Sequence, residues 1–190
     1  MTKKIFCITF FDEYDEVLNT IKNIKSAFKD EASIVLVNSE CEDGNEETLS
    51  KIIEFSDFYQ KVENLYSKHS RFRFNSHSVS RNCNIMFNHV YESFQDFDYV
   101  VFLFGDTMIT DGSNFDRRFE EMKKEEKSFI AAQAIGQEFH ASTANPEIGL
   151  NGGRFQHTRI TDVMPQYILI DGKFARNKKV LSEVLNTNEL

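Results

Sequence analysis

Asp98–Gly112 reads DYVVFLFGDTMITDG. Its first part, Tyr99 to Phe104, is a run of β-branched and aromatic residues with no helical stripe, the pattern of a strand buried on both faces. The run stops at Gly105-Asp106-Thr107. In an open α/β sheet, ligands sit outside the carboxyl ends of the strands. A lone carboxylate leaving such a strand can hold a hard cation, which a phosphate then shares. Taken alone, Asp106 opening an ordinary turn accounts for the stretch equally well.

Working outward, the elements on either side alternate strand and helix. Lys4 to Phe11 predicts a first strand, and Asp12 to Asp30 a helix with Tyr14, Val17, Leu18, Ile21, Ile24 and Phe28 on one face. Asp12, Glu13, Asp15 and Glu16 crowd the first turn of that helix, where its dipole favours acids. Ser33 to Asn38 is a second apolar strand, completing a βαβ unit that should be parallel. Gly44-Asn45 makes a turn, and Glu46 and Glu47 open the next helix. A short strand is expected within Asp57–Ser67. Ser78 to Phe94 follows as a helix with Val79, Cys83, Met86, Phe87, Val90 and Phe94 as its stripe.

Beyond the central strand, Ser113 to Lys124 reads as a helix with Ser113 as N-cap and Asp116 completing a capping-box-like pair. Ser128 to Ile135 is another buried strand. Gly136 to Pro165 has few apolar runs and reads as a long loop, a length that is usually functional in a compact domain. Gln166 to Ile170 is a last strand, Asp171-Gly172 a turn, and Arg176 to Leu185 a closing helix.

The bulk properties bound the function. A chain of 190 residues with 41% hydrophobic content and 19 Phe can bury one sizeable core, so a single domain is expected. The net charge of −8 argues against a general nucleic-acid binder. Cys7, Cys41 and Cys83 are odd in number and lack metal-ligand spacing, which fits reduced thiols and a cytoplasmic location. The N-terminal apolar run is broken by Asp12 and Glu13, so it reads as a strand and not a signal peptide. No apolar stretch approaches the roughly 20 residues needed to span a membrane. Against this acidic background, Asn64 to Tyr91 contains no acidic residue and carries Lys68, Arg71, Arg73 and Arg81 with His69, His77 and His89. Such an island suits a small anion such as a diphosphate; a solvated basic loop is the plainer account.

Four segments, in order, resemble the family-two glycosyltransferases with the nucleotide-sugar-transferase (GT-A) fold. Thr9-Phe10-Phe11-Asp12 matches the family's Thr-x-Tyr-Asn. Val37 to Gly44 lies over its Val-Asp-Asp-Gly-Ser-Thr-Asp-Gly, with Asn38 and Ser39 in place of the two Asp. Ser78-Val79-Ser80-Arg81-Asn82 is similar to its Ser-Ala-Ala-Arg-Asn, and Leu103 to Thr107 to its Leu-Asp-Ala-Asp-Thr. Of the DxD motif, the last Asp is kept as Asp106 and the first is Phe104.

The resemblance implies a GT-A-like, Rossmann-type three-layer α/β sandwich with a mostly parallel central sheet flanked by helices. Residues 1–135 would form a nucleotide-binding half and 136–190 an acceptor-side half. It implies a glycosyltransferase that uses a nucleotide-diphosphate sugar and a divalent metal, Mn2+ or Mg2+, on Asp106. Thr9, Phe11, Asn38, Ser39, Arg81 and Asn82 would bind the nucleotide: Phe11 by stacking on the base, Asn38 or Ser39 by hydrogen bonds to it, and Arg81 at a helix N-terminus by contact with the diphosphate. The acceptor would be a glycan or a lipid-linked hydroxyl. An inverting transfer needs a carboxylate to deprotonate it; Asp162 is the candidate base, with Glu138 and Glu147 as rivals. His140 or His157 could complete a metal shell. The family's usual base lies beyond a strand–helix pair that ends this sequence, so another acid or a partner subunit would serve, and a homo-oligomer is possible. Two other readings stay open: a catalytically inactive module that binds a nucleotide-sugar or glycan, and a nucleotidyltransferase on a similar sheet. The second would carry a Gly-rich basic loop after the first strand, where this chain has Phe11-Asp12-Glu13.

Overall fold

The structure is a computed structural model and describes residues 3–11, 13–39, 46–62, 76–105, 107–133 and 165–176. Its strands are β1 (Lys3–Phe10), β2 (Ala32–Asn38), β3 (Phe58–Lys61), β4 (Phe97–Phe104), β5 (Phe129–Gln133) and β6 (Pro165–Asp171). Its helices are α1 (Tyr14–Phe28), α2 (Glu46–Glu54), α3 (Ser76–Ser93), α4 (Asn114–Lys124) and a single turn, α5 (Gly172–Ala175). A 3₁₀ turn, Lys29–Glu31, links α1 to β2.

All six strands join one sheet in the order β3-β2-β1-β4-β6-β5. β1 pairs in parallel with β2 and β4, and β2 with β3. β6 runs antiparallel to both β4 and β5 and lies between them. The sheet is therefore mixed. This corrects the expectation of a GT-A-like, Rossmann-type sandwich with a mostly parallel sheet: β6, inserted between β4 and β5, runs against both neighbours, and that fold-type assignment is set aside. The apolar runs could not show this, because a strand buried on both faces has the same composition whichever way its neighbour runs.

Strand alternation divides the core into two layers. Phe6, Ile8 and Phe10 of β1, Ile34 and Leu36 of β2, and Tyr99, Val101 and Leu103 of β4 face the apolar stripes of α1 and α4 and Ile52 of α2. Ile5, Cys7, Val35, Val37, Val100 and Phe102 face Cys83, Met86, Phe87 and Val90 of α3. The predicted stripe of α1 is buried along its whole length. Burying such side chains is worth about 1.5–3 kcal/mol each before entropy is counted.

Two local expectations are corrected. Ser113 does not cap α4 through its side chain; its hydroxyl donates instead to Asp111 (2.6 Å), and Asp116 accepts from Tyr99. At the other end of the chain, Gly172 begins α5 instead of closing a turn, and Arg176 follows that helix. The remainder of the predicted closing helix lies outside the described residues, as does the predicted loop from Gly136 to Pro165 apart from Pro165 itself, which begins β6. Among the described residues no helix is long and apolar enough to cross a membrane.

Candidate functional site

The carboxyl ends of β1, β2 and β4 lie side by side, because Thr9 pairs with Val37 on one side and with Phe104 on the other. Three of the sequence-predicted residues meet there through a single side chain. Asn82 Nδ2 donates to Thr9 Oγ1 (2.8 Å) and to Ser39 Oγ (2.6 Å). Thr9, Ser39 and Asn82 are all buried, at 2%, 0% and 0% exposure. The period of two explains the geometry. Thr9 continues the face of Ile5 and Cys7, and Ser39 continues that of Val35 and Val37, so both point toward α3.

The same period sends Asn38 to the opposite face, with Ile34 and Leu36, where its Nδ2 reaches the Tyr59 hydroxyl at 3.4 Å. Asn38 and Thr9 thus do not share a pocket wall, and Ser39 is the residue brought to Thr9. The backbone locks both strand ends: Ser39 N donates to Phe10 O (2.9 Å) and Val62 N to Asn38 O (2.8 Å). Among the described residues, two side-chain oxygens in this region are buried without a hydrogen-bond partner, Asn38 Oδ1 and Asn82 Oδ1.

Arg81 and Asn82 are the sixth and seventh residues of α3, which begins at Ser76. They sit in its second turn, so the expected placement of Arg81 at the helix N-terminus is corrected. Arg81 is half-buried next to Asn82. Phe11 is buried at 6% exposure, and its backbone N–H donates to Glu13 Oε2 (2.9 Å).

That carboxylate belongs to a residue which the sequence pattern had absorbed into the dipole of α1. It lies against the end of β4: a Cβ on Gly105 would sit 2.8 Å from Glu13 Oε2 and 2.5 Å from Phe10 Cβ. Residue 105 is glycine because the approach of β1 and the Glu13 carboxylate leaves no room for a side chain. The chain beyond position 106 is then held by α1. Thr20 Oγ1 donates to Thr107 O (2.9 Å) and accepts from Ile109 N (3.2 Å), while Asn23 Nδ2 donates to Ile109 O (2.6 Å). No periodicity could have flagged Glu13, Thr20 or Asn23, since each acts on a segment that only the fold brings near.

Asp106 and Asp162 lie outside the described residues, as do Asp12, Asp43, Lys68, His69, Arg71, Arg73, Glu138, His140, Glu147 and His157. Among the described residues, no group of three or more His, Cys, Asp and Glu could hold a metal ion. His89 is stacked on Phe58 with ring centroids 3.9 Å apart, and burial lowers its pKa. Cys7 and Cys83 are free and buried. Burial pushes the Cys7 thiol well up and the Cys83 thiol up to about 12, which makes both inert as nucleophiles.

No protein-family model matches the chain, and no curated protein matches it. Solved structures do. The mannosyltransferase PcManGT from Pyrobaculum calidifontis, in complex with GDP-Man and Mn2+, matches with a TM-score of 0.50 at 11% identity over 100% of this chain and 48% of its own. The bifunctional WbbM glycosyltransferase matches with a TM-score of 0.50 at 12% identity over 98% of this chain and 34% of its own. Residues 1–349 of S. aureus TarS match with a TM-score of 0.47 at 12% identity over 70% of this chain and 36% of that one. The chain thus spans about a third to a half of these proteins. At this identity the likeness concerns the fold. The PcManGT and WbbM structures do not support the GT-A, family-two assignment that the sequence resemblance implied, and that assignment is corrected accordingly.

Proposed function

We propose that the chain binds a nucleoside-diphosphate sugar at the carboxyl ends of β1, β2 and β4 and transfers its sugar to a hydroxyl acceptor on a glycan or lipid-linked substrate. One observation carries this reading. Three residues from three separate segments, each singled out from sequence as nucleotide-binding, are joined by hydrogen bonds at one sheet edge: Thr9, Ser39 and Asn82. Parallel strands that end together are where open α/β sheets take nucleotide ligands. The 0.50 TM-scores to two sugar-transferring enzymes, one of them in complex with GDP-Man and Mn2+, support the same class.

In this reading residues 1–135 bind the donor and 136–190 shape the acceptor side. Phe11 and Ser39 meet the base, and Arg81 adds positive charge for the diphosphate. The Glu13 carboxylate beside Gly105 offers a hard oxygen donor next to the chain position of Asp106, and this chemistry fits Mg2+ or Mn2+. Asp106 and Glu13 would hold the cation, which would neutralise charge on the leaving diphosphate. Asp162 is the proposed base for an inverting transfer.

A thermal-shift screen of nucleoside diphosphates and their sugars, with and without manganese, tests the reading, because a ligand of the native state raises the melting temperature by mass action. A manganese-dependent shift with one nucleotide, lost in Asp106→Ala, is the expected result. Release of free sugar from the matching donor then separates an enzyme from a binding module. No shift with any nucleotide overturns the proposal.

A further inference from the structure

Asn82 is fully buried, yet its amide is only half satisfied. Its nitrogen has two hydrogens and spends both, on Thr9 Oγ1 and Ser39 Oγ. Among the described residues its carbonyl oxygen has no hydrogen-bond partner, and it is closed to water. An unmet buried acceptor is costly, and such groups are few in native proteins. Asn38 also carries a buried, unpartnered oxygen, but it lies on the other face, within the layer of Ile34, Leu36 and Tyr59. Of these two oxygens, that of Asn82 belongs to a cluster of polar side chains at the strand ends, with Arg81 next to it in the chain.

We infer that Asn82 selects the nucleoside part of the ligand: its Oδ1 accepts a hydrogen bond from a nucleoside donor, either a base imide N–H or a ribose hydroxyl. The two bonds made by Nδ2 fix the amide plane against β1 and β2, so the oxygen is aimed before the ligand arrives and little ordering is left to do on binding. The oxygen is closed to water in this conformation, so the donor enters through a local opening between α3 and the strand ends. A ligand whose group cannot donate leaves the oxygen buried and unmet, which is a strong form of rejection. This inference rests on the nucleotide reading above.

The test is calorimetric titration of the full chain, with manganese present, using uridine and guanosine diphosphates. Each is compared with an analogue methylated at the base imide nitrogen and with its 2′- and 3′-deoxyribose analogues. With the native residue, either the methylated or a deoxy analogue is expected to bind roughly tenfold or more weakly than its parent, the measure of one lost buried hydrogen bond. Which analogue is rejected identifies the donor as base or ribose. In Asn82→Ala the parent nucleotide should weaken by a similar factor and the discrimination should vanish. Asn82→Asp keeps an acceptor at that position and should retain the discrimination, which covers the case in which the alanine variant does not fold. Discrimination unchanged in Asn82→Ala, or absent with the native residue while the parent nucleotides bind, overturns the inference and leaves the nucleotide reading standing. Absence of binding by both parent nucleotides overturns the two together.

Discussion

The Tyr99 hydroxyl donates a 2.9 Å hydrogen bond to Asp116 and so ties the start of β4 to the first turn of α4. Tyr99 is completely buried, with its ring edge-on to Phe6 and tilted against Phe119. Burial above all, then the Asp116 carboxylate, drives the phenol pKa far above its ordinary value. Tyr99→Phe keeps the ring contacts and removes only this donor to a charged acceptor. It is expected to cost about 1.5–3 kcal/mol, read as a lower urea midpoint with an unchanged slope. Nucleotide binding at the opposite sheet edge should be unaffected.

The same end of the sheet carries a pH-dependent ion pair. Lys4 Nζ lies 2.6 Å from Glu31 and 3.8 Å from Asp116. For Lys4, burial alone would lower the pKa, but the Glu31 hydrogen bond and the charges of Asp116, Glu31 and Asp98 outweigh it and raise the value. For Glu31 the hydrogen bond from Lys4 is the main cause of a lowered pKa. The signs follow from linkage. The Glu31 contribution is present above the ordinary carboxylate pKa and is lost as pH falls through the lowered value. The Lys4 contribution is fully present below the ordinary lysine pKa and is lost as pH rises through the raised value. Lys4→Met retains the apolar stem, so it should reduce stability at neutral pH and flatten both limbs of a pH–stability profile measured by urea unfolding. A profile parallel to that of the native chain at every pH would contradict this.

These two contacts show what sequence can and cannot supply. The positions of β1, β2 and β4 were legible to within a residue or two, because Lys4–Phe11, Ser33–Asn38 and Tyr99–Phe104 are apolar runs bounded by polar breaks. The resemblance grouped Thr9, Ser39 and Asn82 as nucleotide-binding residues, and the fold joins the three by hydrogen bonds. What was hidden depends on partners distant in sequence. Nothing in Tyr167–Ile170 says that this strand enters the sheet between β4 and β5 and reverses its direction. Ser113 carries the composition of an N-cap, yet its hydroxyl donates to Asp111 and makes no capping hydrogen bond to the helix. Asn38 and Ser39 looked interchangeable as base readers until the sheet register put them on opposite faces.

Gly105 offers a steric prediction at the candidate site. A methyl group there would lie 2.5 Å from Phe10 Cβ and 3.1 Å from Phe10 Cα, neither of which can swing aside, as well as 2.8 Å from Glu13 Oε2. Gly105→Ala must therefore push β4's end away from β1, at an expected cost of about 1–3 kcal/mol. Adding Glu13→Ala should recover little, because the backbone-proximal Phe10 contact remains. Stability of the single and double variants by urea unfolding checks both statements, and a double variant as stable as Glu13→Ala alone would show that the carboxylate, not the strand, sets the limit.

Thr20 links the helix α1 to the segment that leaves the candidate site. Its hydroxyl donates to Thr107 O and accepts from Ile109 N, and it is itself 1% exposed. Thr20→Val is close to isosteric but puts a methyl group against a buried carbonyl and a backbone N–H that then lack their partner. Each such loss costs about 1–3 kcal/mol, and Val is not a neutral replacement for Thr for this reason. Most of the damage should be local, since Asn23 still holds Ile109 O from the next turn of α1. The Ile109 amide is therefore expected to exchange with deuterium at least about tenfold faster, while amides in β1 and β2 keep their protection. If the Asp106 carboxylate serves the cation as proposed, loosening the residues that follow it should also shrink the manganese-dependent part of the nucleotide thermal shift and spare the metal-independent part. Equal loss of both parts would mean that Thr20 supports the whole sheet edge and not this segment in particular.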